Sequence, residues 1–264
     1  MNPAISNRFV APAILAYRWL SRHGLGCVLD PSIPARRVFH FAQFVRDWRA
    51  YAGLPGAEPL RLIHSFPQLD DHTATTAVER HYFYQAIWAV QHIARSSTSH
   101  HVDVGSDHRM VAMLTTHARV TFVDIRPTSA RVDGLGNVAG SVTQLPFRDG
   151  SVVSLSCLHV AEHVGLGRYG DSLDPLGTRK AAAELNRVLA PGGNLYFSVP
   201  IGWSRVEFNA HRIHTPCQVL SYFKALTLVE FSAEDDEMRF HANVEPAQYE
   251  RADYACGLFW FTKA

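Results

Sequence analysis

From about residue 100 onward, short runs of β-branched and aromatic residues alternate with helical patterns, and this alternation constrains the fold more than any other feature. Residues 101–105, 120–124, 138–142 and 152–158 read as strands, and residues 110–117 as a helix. Residues 178–189 form the clearest helix, with Ala, Leu and Val on one side, stopped by Ala190-Pro191-Gly192-Gly193. Residues 194–199 read as a fifth strand and 216–223 as a helix with proline at its start. Residues 226–231 and 257–261 read as late strands able to pair as an antiparallel hairpin. Strands alternating with helices predict an α/β fold: a doubly wound, mostly parallel sheet of seven strands with an antiparallel edge hairpin.

The first third lacks this alternation. Ile14, Leu15, Trp19 and Leu20, and then Val38, Phe41, Phe44, Val45 and Trp48, carry helical spacing. A Gly- and Pro-rich stretch follows at residues 52–59, and a third helix is expected over 76–94. The polar run 96–99 is the natural join, giving a helical N-terminal extension over 1–97 and a sheet domain over 98–264. The helices are expected either to cover a cleft or to supply a homodimer surface.

Composition narrows the function classes. With 47% apolar and 19% charged residues the chain reads as globular, and a net charge of +1 leaves no electrostatic footprint for nucleic acid. Cys27, Cys157, Cys217 and Cys256 form no CxxC pair, so reduced buried thiols are expected rather than a zinc ribbon or a disulfide framework. The apolar stretch 9–17 is too short to span a bilayer, so no transmembrane segment and a cytoplasmic location are expected.

In an open parallel sheet, ligands bind beyond the carboxyl ends of the strands. The first strand ends in Asp103-Val104-Gly105-Ser106-Asp107, where glycine permits close approach to a ligand. The second ends in Asp124, about twenty residues later, the separation at which an acid reaches a ribose hydroxyl. Either acid alone could simply cap a turn. Together, at two strand ends, they favour a nucleoside ligand.

The order of Ser141-Val142-Thr143, Gln144-Leu145-Pro146-Phe147, Asp149-Gly150, Glu162-His163 and Arg187-Val188-Leu189-Ala190-Pro191-Gly192-Gly193 resembles class I S-adenosylmethionine-dependent methyltransferases over about residues 98–232. The resemblance implies a Rossmann-like fold and S-adenosylmethionine as cofactor. It implies methionine contacts from Asp103, Gly105 and Ser106, ribose contacts from Asp124 with Ile125 beside it, and adenine contacts from Ser141, Val142 and Thr143, with Leu158 in the same pocket. More narrowly, the stretch from Ser156 to Asp171, with Phe208-Asn209-Ala210-His211-Arg212-Ile213 and the helix containing His81-Tyr82-Phe83-Tyr84-Gln85, looks like a methyltransferase-related family of unknown function. Two features depart from the methyltransferase pattern. Asp107 and Arg109 stand where the second and third glycines of the first motif belong, and Ser141 stands where an acid is frequent.

Gly165-Leu166-Gly167-Arg168-Tyr169-Gly170 satisfies G-x-G-x-x-G, yet it follows the fourth strand and opens no helix, so a loop over the active site is expected instead of a dinucleotide fingerprint. Methyl transfer to a hydroxyl needs a base near the sulfonium methyl. His159, Glu162 and His163 follow the fourth strand and His211 follows the fifth, which makes these the catalytic candidates. Arg168, Tyr169, Asp171 and Arg212 are expected on the substrate side. His159 and His163 have a metal-ligand spacing, but no third ligand is evident, and no metal is expected. The activity expected is methyl transfer to a hydroxyl of a small or glycan-like acceptor. A non-catalytic scaffold binding a nucleoside or a partner, and a nucleotide-sugar-modifying enzyme, are the alternatives.

Overall fold

The computed structural model describes residues 32–264 except 75 and 77. The expected helix containing Ile14, Leu15, Trp19 and Leu20 lies outside the described residues. Packing separates a unit that ends at Ala77 from a second that runs from Val78 to Ala264. In the first, α1 (Ser32–Ala52) carries an aromatic ridge of Phe41, Phe44 and Trp48, with ring centroids 6.0 and 5.7 Å apart along the series.

The second unit holds the sheet. Helix α2 (Tyr82–Arg95) is followed by β1 (His100–Val104), α3 (His108–Leu114), β2 (Arg119–Asp124), β3 (Leu135–Ala139), β4 (Val152–Leu158), α4 (Gly177–Val188) and β5 (Leu189–Ile201). A small hairpin of β6 (Arg205–Glu207) and β7 (His211–Ile213) comes next. Helix α5 (Pro216–Tyr222), β8 (Thr227–Glu234), β9 (Phe240–His241) and β10 (Ala255–Thr262) complete the chain. The strand order is β3-β2-β1-β4-β5-β10-β8-β9. The first five strands are parallel, while β10 runs antiparallel between β5 and β8. This is the expected Rossmann-like α/β sheet. Its eighth strand, β9, is a two-residue addition to the seven expected.

Both faces of the sheet are covered, which is why its strands read as nearly continuous apolar runs. Ala181, Ala182, Leu185 and Val188 of α4 and Val219 of α5 pack on Leu155, Cys157 and Phe197. On the other face Trp88, Ala89 and Ile93 of α2 and Met110, Val111 and Leu114 of α3 pack on Phe122, Leu158, Tyr196 and Leu258. Helix α2 is also fastened by polar contacts: the Trp88 Nε1–H donates to Glu230, His92 Nε2 lies 3.0 Å from the same carboxylate, and Ser198 Oγ–H donates to Gln85. By packing, α2 therefore goes with the sheet, and the polar run 96–99 is only a turn between α2 and β1.

Three local differences from the sequence reading have plain causes. Helix α2 starts at Tyr82, because His81 adopts a left-handed φ of 63° and its N–H is taken by Glu234 Oε2 at 3.0 Å. Strand β3 ends at Ala139, because the Gly140 N–H returns to the Asp124 carbonyl and residues 141–144 form a turn. The glycine-rich segment after β4 is held closed, with the Asp171 carboxylate accepting from the N–H groups of Gly165 and Tyr169.

Candidate functional site

Two clefts open at the carboxyl edge of the parallel strands and share His159 and His163 as a common wall. The first lies at the switch point between β1 and β4. Gly105 forms its floor with a φ of +69°, a conformation that favours glycine. A Cβ there would sit 3.1 Å from the Val160 side chain and 3.6 Å from Asp124 Oδ2. Asp124 holds its own turn by accepting the Arg126 N–H at 2.7 Å, with its second oxygen toward the glycine. Gly105, Asp124, Ile125, Ser141 and Val142 all line this cleft. The sequence reading assigned all five to the cofactor.

Asp103, Ser106, Leu158 and Thr143, assigned to the same ligand, are not among its lining residues. Asp103 is fully buried beneath the loop, where Oδ1 accepts the Ser106 N–H at 3.0 Å and the Ser156 hydroxyl donates to Oδ2. Burial raises its pKa to about 6 against the lowering effect of those hydrogen bonds. Ser106 Oγ in turn accepts the Leu158 N–H at 3.1 Å, which ties the β1 loop to the end of β4. Thr143 Oγ1 bonds Ser141 Oγ at 2.8 Å and so shapes the turn that presents Ser141. These residues position the cleft from behind.

The two residues standing in place of glycines do not fill it. Asp107 is the N-cap of α3, accepting the N–H groups of Arg109 and Met110. Arg109 points outward, 63% exposed, and pairs with Asp107 at 3.0 Å and Glu79 at 2.6 Å. On the opposite side, Arg187 braces the turn after β3 by donating to the carbonyls of Leu145 and Phe147, while Glu184 accepts the Leu145 N–H.

The second cleft is lined by Tyr82, Glu162, Arg168, His211 and Tyr254 among others, together with the two shared histidines. Glu162 is fully buried, and burial raises its pKa. His159 Nδ1 lies 2.9 Å and His163 Nε2 3.6 Å from its Oε1, yet neither carboxylate oxygen meets a donor in hydrogen-bond alignment. His163 Nδ1 faces both the Ala210 carbonyl at 2.6 Å, which can only accept, and Arg168 Nη1 at 3.3 Å, which can only donate; the shorter contact assigns the proton to Nδ1 and leaves Nε2 its lone pair. Burial lowers the pKa of His163, and it holds His159 down at about 3. His211 stacks on Tyr254 at 5.2 Å, and its Nε2 lies 3.3 Å from Glu207. All four catalytic candidates therefore come together in this cleft.

The substrate candidates divide. Arg168 lines the second cleft, whereas Tyr169 and Asp171 line the first, with the Arg126 guanidinium 4.5 Å above the Tyr169 ring. Arg212 lines neither, being buried with its guanidinium donating to the carbonyls of Val164 at 2.5 Å and Asp174 at 2.9 Å. The reason is alternation in β7: His211 faces the cleft and its neighbour turns the other way. Arg80, His81, Tyr82, Arg126, Val160 and Tyr254 escaped the sequence reading. Of these, Arg126 and Val160 stand two residues past strand ends, a usable signal, and His81 and Tyr82 belong to the stretch that carries the narrower family resemblance, while Tyr254 carries none.

Residues 102–197 match the methyltransferase domain family, and residues 151–255 match a family described as a Caenorhabditis protein of unknown function, DUF268. No curated protein matches the sequence. Among solved structures, the N-methyltransferase NodS from Bradyrhizobium japonicum, in complex with S-adenosylhomocysteine, is 17% identical, with 70% of this chain and 89% of that chain covered and a TM-score of 0.47. The 1,6-didemethyltoxoflavin-N1-methyltransferase of Burkholderia thailandensis is 14% identical, covering 73% of this chain and 94% of that chain at a TM-score of 0.47. A structure from Bacillus halodurans is 13% identical, with 68% of this chain and 99% of that chain covered and a TM-score of 0.48. No helix among the described residues is long and apolar enough to cross a membrane.

Proposed function

From a chain with a Rossmann-like methyltransferase fold, whose residues 102–197 match the methyltransferase domain family, we propose an enzyme that transfers a methyl group from S-adenosylmethionine to a hydroxyl of a small polar or glycan-like acceptor. The observation that carries this reading is the pairing of two clefts through one histidine wall, the first with a glycine floor beside a strand-end carboxylate.

The first cleft fits the nucleoside. Gly105 leaves the space a side chain would fill, and the Asp124 carboxylate is placed to accept from ribose hydroxyls. Ser141 and Val142 offer a polar and an apolar contact for the base, and Tyr169 under Arg126 closes the outer side. When bound, S-adenosylmethionine supplies an electrophilic methyl on sulfonium sulfur, so the protein's task is alignment and removal of one proton. His163 suits that task. Its Nδ1–H is held by the Ala210 carbonyl, its Nε2 lone pair is available, and its lowered pKa keeps it neutral at pH 7. The acceptor proton moves to Nε2, and the Glu162 carboxylate 3.6 Å away stabilises the imidazolium that results. Arg168, Tyr82 and His211 give the acceptor cleft its polar lining.

The non-catalytic alternative drew its motive from the missing glycines. That motive weakens, because Asp107 and Arg109 are engaged in a helix cap and an outward ion pair. Calorimetric titration with S-adenosylhomocysteine tests the reading. Saturable binding is expected, and Asp124→Ala should weaken it about 100-fold, the scale of losing paired charge-assisted hydrogen bonds. A folded protein that takes up no heat at millimolar ligand would sink the proposal.

A further inference from the structure

Three side chains from widely separated stretches converge behind the second cleft: His81 ahead of α2, His159 after β4 and Cys256 in β10. All three are buried, and their ligand atoms lie within 4.8 Å of one another. We propose that His81, His159 and Cys256 bind a transition-metal ion of the zinc class, with an open position facing the second cleft. The inference does not depend on what occupies the first cleft.

The spacing suits such an ion. Nitrogen and sulfur ligands at about 2.0 and 2.3 Å in tetrahedral geometry stand roughly 3.6 Å from each other. His159 Nε2 and Cys256 Sγ are 3.2 Å apart, so small rotations bring them into place. Each histidine turns one ring nitrogen toward an oxygen, His159 doing so without hydrogen-bond alignment, and leaves the other for the ion. His81 Nε2 lies 3.2 Å from the Tyr254 carbonyl, which leaves its Nδ1. His159 Nδ1 lies 2.9 Å from Glu162 Oε1, which leaves Nε2 toward the sulfur.

Charge points the same way. Glu162 is a completely buried carboxylate whose oxygens accept no hydrogen bond, an expensive arrangement unless a positive charge sits close by. A dication bound by one thiolate beside that carboxylate supplies the charge, and the thiol proton of Cys256 leaves to solvent on binding. Two imidazoles and a thiolate suit zinc or cobalt and disfavour magnesium and calcium, which take oxygen ligands. His81 and His159 both hold left-handed backbone conformations, with φ of 63° and 55°, at a cost of about 1–3 kcal/mol each. Such strain is retained where neighbouring groups fix a side chain for use.

The full-length protein, stripped with a chelator, is titrated with Co²⁺ while the thiolate-to-cobalt charge-transfer absorption is followed. The expected result is a band that saturates near one equivalent, is displaced by Zn²⁺, is lost in Cys256→Ser and survives in Cys217→Ser. Glu162→Gln should weaken cobalt binding about 10- to 100-fold, as loss of a ligand's supporting partner does. If Cys256→Ser does not fold, His81→Ala must remove the saturable band instead. A wild-type titration without a saturable band, or a band that persists in a folded Cys256→Ser, overturns the proposal and leaves a simple thiol–histidine hydrogen bond.

Discussion

The two clefts are built in opposite ways. The first has a floor of residues at consecutive strand ends, Gly105, Asp124 and Gly140–Val142, set by backbone turns, and a wall from one further segment, His159 to Asp171. The second gathers side chains from residues 80–82, 159–163, 168, 209–211 and 254, and the cluster behind it adds Cys256. A floor made of turns needs only the sheet to form, and a single chain segment completes it. A cleft made of converging side chains needs five segments to dock correctly, so it is the more easily lost.

The sharpest way to break that contrast is to damage the wall both clefts share. Gly177 opens α4 directly behind the 161–164 turn, and a Cβ there would meet the Val164 carbonyl oxygen at 2.1 Å. Gly177→Ala must therefore push the turn carrying Glu162 and His163 off its seat. A loss of about 3 kcal/mol or more in urea unfolding is expected. If the variant keeps wild-type stability and ligand affinity, the wall is softer than its contacts require.

A smaller effect lies under the floor of the first cleft. His101 sits fully buried between the Ser154 and Ser156 hydroxyls at 2.7 and 2.8 Å, and Ser156 also bonds Asp103. Burial holds His101 at about 3, below its free value of 6.5, so the unfolded chain takes up a proton first. Stability from His101 is complete above pH 6.5 and is lost as pH falls toward 3. Asp103 has the opposite sign. Raised from 3.8 to about 6, it contributes stability that is complete below 3.8 and lost as pH rises through 6. Between about pH 4 and 6 the two slopes offset each other. His101→Gln should therefore tilt the stability profile toward acid by about 1 kcal/mol per pH unit, and Asp103→Asn should tilt it the other way. Unfolding curves at pH 4, 5 and 6 check both signs, and two flat difference profiles would refute the account.

The same contrast explains what could be read from the residues. The sheet was legible because strands buried on both faces are apolar runs of fixed spacing, and β4 emerges with its expected bounds, Val152–Leu158. Gly105 and Asp124 were legible as cleft-lining positions because strand ends in this topology must face one edge, and Ser141 and Val142 through the family resemblance. Asp103 and Arg212 show the limit: each sits beside a cleft-lining neighbour, Val104 or His211, and strand alternation turns it the other way. The convergence of His81 and Cys256 on His159 had no spacing signal, since 78 and 97 residues separate them from it and only the docking of α2 and β10 joins them. A search for close-spaced ligands could find His159 and His163, but not the partners that complete the cluster.

The smallest expected effect concerns the residue that looked most damaging in the sequence. Arg109 stands where a glycine belongs in the methyltransferase pattern, yet its guanidinium lies on the outer surface between Asp107 and Glu79. An exposed pair of this kind is screened by solvent and contributes little to stability. Arg109→Gly would restore the pattern while costing the first turn of α3 about 1 kcal/mol in helix propensity. If the first cleft is shaped by Gly105 and the Asp107 cap alone, S-adenosylhomocysteine affinity should change less than about 3-fold, under 1 kcal/mol. A gain of tenfold or more would mean that the arginine does obstruct the loop, and that a cleft built from backbone turns is more sensitive to its outer side chains than this geometry implies.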